Sequence, residues 1–415
     1  MWPRRMGASK IIRNNVVADF STTTESLLHL LPSDLQLPVI SPIIVTENQE
    51  THNDYNIFVS TWNVGGITPS QDLNIDDLLD THNTSCHIYV IGFQEVVPLN
   101  ASNVLGPENK KVSTRWNSLI KKTLNKKSRS GQLSSKVTKS NTEGNDLQHD
   151  FRCLVSKQMV GLLISVWVRS DVLPFIRNPN VSCVGCGIMG CLGNKGSVSI
   201  RFQLHETSFC FVCSHLASGG GEGDERNRNS DANEIFSRTS FPSNKGSSSI
   251  RLPRRILDHD RVVVFGDLNY RISLPEKETR SLVDRFDWKK LLEYDQLRTE
   301  LMDGQFEAWH EGPINFPPTY KYLPNSDEYF VKNQEMKRAP AWCDRIIWSG
   351  EELKQILYTR SESKLSDHRP VKAIFSTQVE VSRLACGNFY FSDGFDQIST
   401  SLEFVCMNIP LVLTN

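Results

Sequence analysis

The stretch Val262–Ile272, VVVFGDLNYRI, decides how this chain is read. Val262 to Phe265 is a short apolar run rich in β-branched residues, which predicts a strand buried on both faces. Gly266 breaks the run, and Asp267 and Asn269 follow at once. On an extended strand end, residues two apart point the same way. A carboxylate and a carboxamide would then leave a rigid strand side by side. The first can take a proton from water; the second can hold an oxyanion or orient the water. An Asp/Asn turn closing an ordinary strand has the same sequence, so this stretch alone does not choose between turn and site.

Four other runs end in the same manner. Asn63 follows FVSTW, Glu95 follows IYVIGFQ, His215 follows SFCFVCS, and the pair Asp367–His368 sits in SDHRPV. Each brings a group suited to phosphoryl chemistry to the end of a strand-like run. Residues spread from Asn63 to His368 argue for one catalytic core, although 415 residues alone would allow about two or three domains.

Taken in order with GDLNYR and PAWCDRI, these runs resemble the inositol polyphosphate 5-phosphatases, within the metal-dependent endonuclease/exonuclease/phosphatase superfamily. The resemblance covers roughly Tyr55 to Phe375, and the co-occurrence of GDLNYR and PAWCDR is its most specific part. GCLGNKGSVSIRF and GDERNRNSDANEIFSRTSF are most similar to the plant branch of the family. The sequence departs from the family at Val264, where a Trp is usual, and at Ser197, where many members have Gly. The resemblance implies a four-layer α/β/β/α sandwich of two mainly antiparallel sheets flanked by helices. Many strand-like runs with few interposed helices agree with that class.

Around this core, residues 1–54 read as an N-terminal arm, 55–381 as the catalytic domain and 382–415 as an atypical tail. Within the domain, 106–150 reads as a flexible basic insertion and 218–251 as Gly/Ser-rich loops. In the latter, Asp231 and Glu234 predict the capping box of a helix. DWKKLLEYDQLRTELM also reads as helical. From Lys110 to Lys139 every charged residue is basic. TRWNSLIKKTL has helical spacing, but the stretch as a whole reads as a solvated loop. Attraction to anionic membrane would need a fold that gathers those charges, and none is visible in the sequence.

The remaining composition excludes more than it assigns. Lys+Arg of 46 against Asp+Glu of 47 is no signature of a general nucleic-acid binder. No apolar run approaches the ~20 residues that cross a bilayer, and MWPRRMGASKIIRNN lacks the apolar core of a secretory signal. A soluble, cytoplasmic, monomeric protein is expected, with peripheral contact to anionic membrane left open. Cys183/Cys186 and Cys210/Cys213 have zinc-like spacing. Residues three apart on a strand face opposite sides, so SFCFVCS cannot offer both thiols to one ion; free, partly buried thiols are expected instead.

The resemblance assigns roles residue by residue. Glu95 becomes the principal Mg²⁺ ligand, with Asn63 beside it. Asp267 becomes the general base or water-positioning carboxylate, and Asn269 holds the attacked phosphate. His215 and His368 donate to the phosphoryl oxygens, Asp344 pairs with His368, and Asp367 lies near the metal and its waters. Asn194 and Lys195 sit on a Gly-rich turn able to face an anion. Tyr320, Lys321, Lys337 and Arg345 read a 4-phosphate that is not cleaved. Arg271 either supports the site or pairs with a carboxylate. His205 and His310 read as structural, and Trp342 as core.

The function expected is Mg²⁺-dependent hydrolysis of the 5-phosphate of inositol polyphosphates or phosphoinositides by an activated water. Two rivals stand beside it. A nuclease of the same superfamily would share the catalytic set but not need PPTYKY or PAWCDR, and would carry a basic groove. An inactive phosphoinositide-binding adaptor would have lost a catalytic group, and none is lost.

Overall fold

A computed structural model of the chain describes residues 51–80, 86–105, 110–126, 150–187, 194–242, 252–302, 309–331 and 338–381. The expected arm (apart from its last few residues), the tail, Lys337 and most of the basic run beyond residue 126 lie outside the described residues. Eleven strands are described. They are β1 (Thr51–Asn63), β2 (Ile88–Gln94), β3 (Phe151–Met159), β4 (Leu162–Arg169), β5 (Ile176–Gly185), β6 (Gly196–Leu204), β7 (Thr207–His215), β8 (Arg261–Asp267), β9 (Asp344–Ser349), β10 (Leu353–Arg360) and β11 (Val371–Val381). The first sheet has the order β10-β11-β1-β2-β4-β3 and the second β5-β6-β7-β8-β9. Each sheet is antiparallel except for one pair, β1–β2 in the first and β7–β8 in the second. The strands' C-terminal ends in those two pairs carry Asn63, Glu95, His215 and Asp267.

Strand alternation builds the layers. Ile57 and Val59 of β1, Ile88 and Val90 of β2, and Val263 and Phe265 of β8 point between the sheets into one apolar layer. Their neighbours point outward and are covered by helices. On the first sheet, Phe58, Tyr89 and Phe93 pack under α1 (Asp76–Leu79) and α3 (Lys110–Leu124); α2 (Ala101–Leu105) lies between these two in the chain. On the second, Val262 and Val264 pack with Ala232, Ile235 and Phe236 of α4 (Asp224–Arg238). The helices α5 (Glu276–Asp284), α6 (Trp288–Leu292) and α7 (Gln296–Met302) follow β8. The result is the expected α/β/β/α order, and the absence of a Trp at Val264 leaves that position fully packed.

Three expectations are corrected. The helix expected to be capped by Asp231 starts at Asp224, where two acidic residues occupy its first turn. Asp231 lies inside it and accepts the Ala217 N–H at 2.8 Å. DWKKLLEYDQLRTELM breaks between α6 and α7, and Asp295 at the break accepts from the Arg298 N–H at 2.9 Å. The stretch 110–124 is no loop: Val112, Trp116, Leu119, Ile120 and Leu124 bury one face of α3. Cys210 belongs to the outer apolar layer and Cys213 to the inner one, on opposite faces of β7 as expected. Among the described residues no helix is long and apolar enough to cross a membrane.

Candidate active site

The C-terminal ends of the two parallel strand pairs come together across the sandwich, where Asn63 meets Asp267. The register pairs Asn63 with Gln94, one residue short of Glu95, and pairs His215 directly with Asp267. Asp344 opens β9 opposite Asp267. His368 lies just before β11, the strand that pairs with β1. Gly266 is required at its position: its φ is 147°, and a Cβ there would run into the Ser214 carbonyl of β7.

Asp267 is the junction. Its Oδ2 accepts from Asn63 Nδ2 at 2.9 Å, and lies 3.3 Å from His215 Nε2 and 3.9 Å from His368 Nε2. Burial pushes the Asp267 carboxyl up, but His368, His215 and Lys195 outweigh it and hold it well below the usual carboxylate range. Asn269 does not continue the strand. It sits at φ 59° and donates its N–H to Asp267 Oδ1 at 3.2 Å. The Asp/Asn turn and the site are therefore one object. Arg271 donates to Asn269 Oδ1 at 2.6 Å, and Asn269 Nδ2 donates to the Leu216 carbonyl at 3.0 Å. A guanidinium can only donate, so Arg271 fixes which end of the amide faces which way. One Asn269 N–H remains for a ligand.

His368 is set by a second carboxylate. Its Nδ1 lies 2.9 Å from Asp344 Oδ2, which also accepts from Thr319 Oγ1 at 2.7 Å. Burial lowers the basicity of this imidazole, but Asp344 and Asp267 outweigh burial and raise its pKa to about 9. Burial, with the Asp267 carboxylate nearby, pushes the Asp344 carboxyl up. The proton of this pair belongs on His368, because the Thr319 hydroxyl favours the charged carboxylate. The Tyr320 ring packs on His368 with centroids 4.5 Å apart. His215 behaves oppositely: burial and the Lys195 ammonium lower its pKa, and Lys195 Nζ lies 2.5 Å from its Nε2.

Glu95 faces the opening. It takes φ 53°, a left-handed conformation costing of order 1 kcal/mol for such a side chain. Its carbonyl accepts from the Gly66 N–H at 2.7 Å, which holds the turn. Its Oε1 accepts from Asn63 Nδ2 at 3.3 Å. Asn63 Oδ1 is taken by the Gly65 N–H at 3.0 Å. Asn63 thus presents nitrogen, not oxygen, between the Glu95 and Asp267 carboxylates. It orients Glu95 and stands beside it, between the two carboxylates. The donor set suits a hard cation: Glu95 is 29% exposed, and among the described residues its one ion-pair neighbour is the His215 ring at 3.8 Å. Mg²⁺ and Ca²⁺ accept such a site because they fill their remaining positions with water or substrate oxygen. Asp267, Asp344 and His368 also bring ligand atoms within 4.8 Å of one another. Asp344 and His368 are bound to each other there in a fully buried place, which suits a hydrated cation less well.

The substrate-reading residues divide. Lys321 pairs with Asp367, the chain neighbour of His368, at 2.7 Å, and both are partly exposed. His368 and Lys321 hold the Asp367 carboxyl low against the effect of burial. The buried Tyr320 accepts at its hydroxyl from Arg338 NH1 at 2.6 Å, and Arg271 lies over its ring at 4.7 Å. Lys195 is at the catalytic centre beside His215, and Asn194 is half-buried just before it. Arg345 is not a phosphate reader. It is fully buried, binds both oxygens of Asp295 at 2.9 Å, and pairs with Glu311 at 2.5 Å. On β9 its side chain points away from the face that carries Asp344. Sequence reasoning missed Arg338 and Thr319. The Lys-Arg pair at 337–338 was a signal for Arg338, but PAWCDR drew the assignment to Arg345 instead. Thr319 carried none.

Comparison with known proteins gives a consistent set. The profile of the Endonuclease/Exonuclease/phosphatase family 2 matches residues 60–374. Type IV inositol polyphosphate 5-phosphatase 9 of Arabidopsis thaliana is 59% identical over 410 residues, covering 96% of each chain. Type I inositol polyphosphate 5-phosphatase 8 of the same plant is 47% identical over 79% of this chain and 72% of its own length. Among solved structures, the inositol polyphosphate 5-phosphatase domain of SPsynaptojanin, in complex with inositol (1,4)-bisphosphate and calcium ion, superposes with a TM-score of 0.65 at 33% identity. It covers 80% of this chain and 87% of that one. Cimex nitrophorin, at 18% identity and a TM-score of 0.55, shares the fold alone.

Proposed function

The chain belongs to the inositol polyphosphate 5-phosphatase family and is a phosphoric monoester hydrolase, and from that premise we propose that it removes the 5-phosphate from inositol polyphosphates or phosphoinositides such as inositol 1,4,5-trisphosphate or phosphatidylinositol 4,5-bisphosphate, with Mg²⁺ as cofactor. The observation that carries this reading is the junction at Asp267 Oδ2, where groups from both sheets converge within 3.9 Å. An ionised carboxylate held that low is a water-positioning group more than a strong base. It orients the water in line with the phosphorus and takes its proton as the new P–O bond forms and the bond from phosphorus to the inositol 5-oxygen breaks, that oxygen leaving as the inositol hydroxyl with a proton from solvent. The free N–H of Asn269 and the protonated His368 donate to the phosphoryl oxygens, where negative charge grows. Lys195 adds a buried amine donor beside His215, its pKa lowered by burial against the pull of Asp267 and Glu95. Glu95 would hold the metal, with Asn63 orienting it. When bound, the cation adds charge neutralisation at the phosphoryl oxygens.

Specificity for a neighbouring 4-phosphate falls to Lys321 and Arg338, with Tyr320 bracing Arg338. The related domain bound to inositol (1,4)-bisphosphate supports this, because that ligand is what remains when a 1,4,5-trisphosphate loses its 5-phosphate. The test is kcat/KM on matched inositol phosphates with and without the 4-phosphate. Lys321→Ala and Arg338→Ala should each harm the first by roughly one to two decades more than the second. An equal loss on both would remove these residues from that role. Absence of 5-phosphate release by the wild type on either compound would remove the activity itself.

A further inference from the structure

Helix α3 gathers charges that the sequence only strings together. Its apolar residues Val112, Trp116, Leu119, Ile120 and Leu124 are buried on the outer face of the first sheet. At 3.6 residues per turn these five occupy one arc of ~140°, and the opposite arc, of similar width, holds every exposed position. Those positions are Lys110, Lys111, Thr114, Arg115, Ser118, Lys121 and Lys122. The face thus shows five cations spaced by two short hydroxyl side chains, and the helix contains no acid.

The helix is held firmly. Trp116 stacks on Phe93 with centroids 4.4 Å apart, Asn117 donates to Ser156 Oγ at 2.8 Å, and Asn125 just beyond the helix accepts from the Phe151 N–H at 2.7 Å. Lys126 is used locally, by Asp76 at 2.9 Å. The opposite end lies toward the site. Arg115 donates to the Pro69 carbonyl at 3.3 Å, in the loop that follows Asn63. The Phe151 end of β3 is remote, because the far end of that strand turns at Gly161, against Glu95.

We propose that the outer face of α3 docks the protein on an anionic phospholipid surface through Lys110, Arg115, Lys121 and Lys122. Three of the four are lysines, point charges without the planar fork that selects a base edge or a single carboxylate. A convex row of such charges fits a diffuse, flat anionic surface. The site end of the helix carries Lys110, so docking brings the mouth of the site beside the headgroups. This inference goes beyond the phosphatase reading and does not rest on it.

The experiment partitions the full chain onto phosphatidylcholine vesicles with and without phosphatidylserine, with no phosphoinositide and in excess chelator, so catalysis does not enter. Binding should require phosphatidylserine and weaken with salt. The combined Lys110→Gln, Lys121→Gln, Lys122→Gln variant should bind those vesicles about 10²-fold less, at roughly fivefold per charge. Its thermal unfolding and its turnover of soluble inositol 1,4,5-trisphosphate should match wild type. Equal wild-type binding to both vesicles, wild-type-like binding by the variant, or capture by duplex nucleic acid at a salt concentration where phosphatidylserine vesicles are not bound would each overturn the proposal. Failure of the phosphatase reading looks different: no turnover, with vesicle binding unchanged.

Discussion

Asp267 accepts from Asn63 while facing two imidazoles with opposite tendencies, His215 neutral and His368 charged. Asp267→Asn keeps the size and removes the negative charge. Turnover should fall by about 10² or more in a steady-state assay while substrate binding persists; a near wild-type rate would take Asp267 out of the chemistry. Arg345 makes the contrasting case. Its loss leaves Asp295 and Glu311 buried without their counter-charge, so Arg345→Met should cost about 3–5 kcal/mol of stability in urea unfolding. The preference for a 4-phosphate should stay as it was; a selective loss of that preference with unchanged stability would restore Arg345 as a reader. The sequence already held the means to separate Arg345 from Asp344. Adjacent residues on a strand face opposite sides, the same rule that divides Cys210 from Cys213. PAWCDR delivers its aspartate to the site and its arginine to the outer layer. The partners that satisfy that arginine lie 34 and 50 residues away, and no local pattern announces them.

At the level of elements, the strands were legible because each apolar run is short, β-rich and closed by a polar group. The helices were less so. Asp231 looks like a cap because Asp with Glu three residues later is the local signature. Tertiary structure uses it instead to clasp Ala217, in the segment just after His215. In α3, charge counting competed with periodicity and misled, since a uniformly basic run resembles a solvated loop. The apolar spacing of Trp116, Leu119 and Ile120 was the better guide. Trp116 stacks on Phe93 and meets Trp62 edge-on at 5.9 Å. Trp116→Ala should therefore lower stability by about 3–5 kcal/mol, read from the urea midpoint at unchanged slope. A loss below about 1 kcal/mol would mean that α3 is an appendage and not a layer of the sandwich.

Across the whole molecule, each sheet supplies half of the site, and the halves close on a place that suits a cation. Chelating divalent ions should abolish turnover and Mg²⁺ should restore it, measured as phosphate release before and after dialysis. Full turnover in excess chelator would show that Lys195 and His368 supply enough positive charge by themselves. The four-layer arrangement was legible from the sequence through the family resemblance and the count of strands. The meeting of Asn63 with Asp267 was not, because it depends on how two sheets stack. The position of β11 has a further bearing. It is the last of the described strands in the chain, yet it lies inside the first sheet, between β1 and β10. A chain leaving the ribosome exposes Asn63, Glu95, His215 and Asp267 early, with β1 still an unpaired edge. His368 and the strand that braces β1 arrive together, after all four. Until they do, the chain holds four of the groups that meet at the site but neither the second imidazole nor the strand that closes the edge of β1, so the site is completed by the order in which the chain is made.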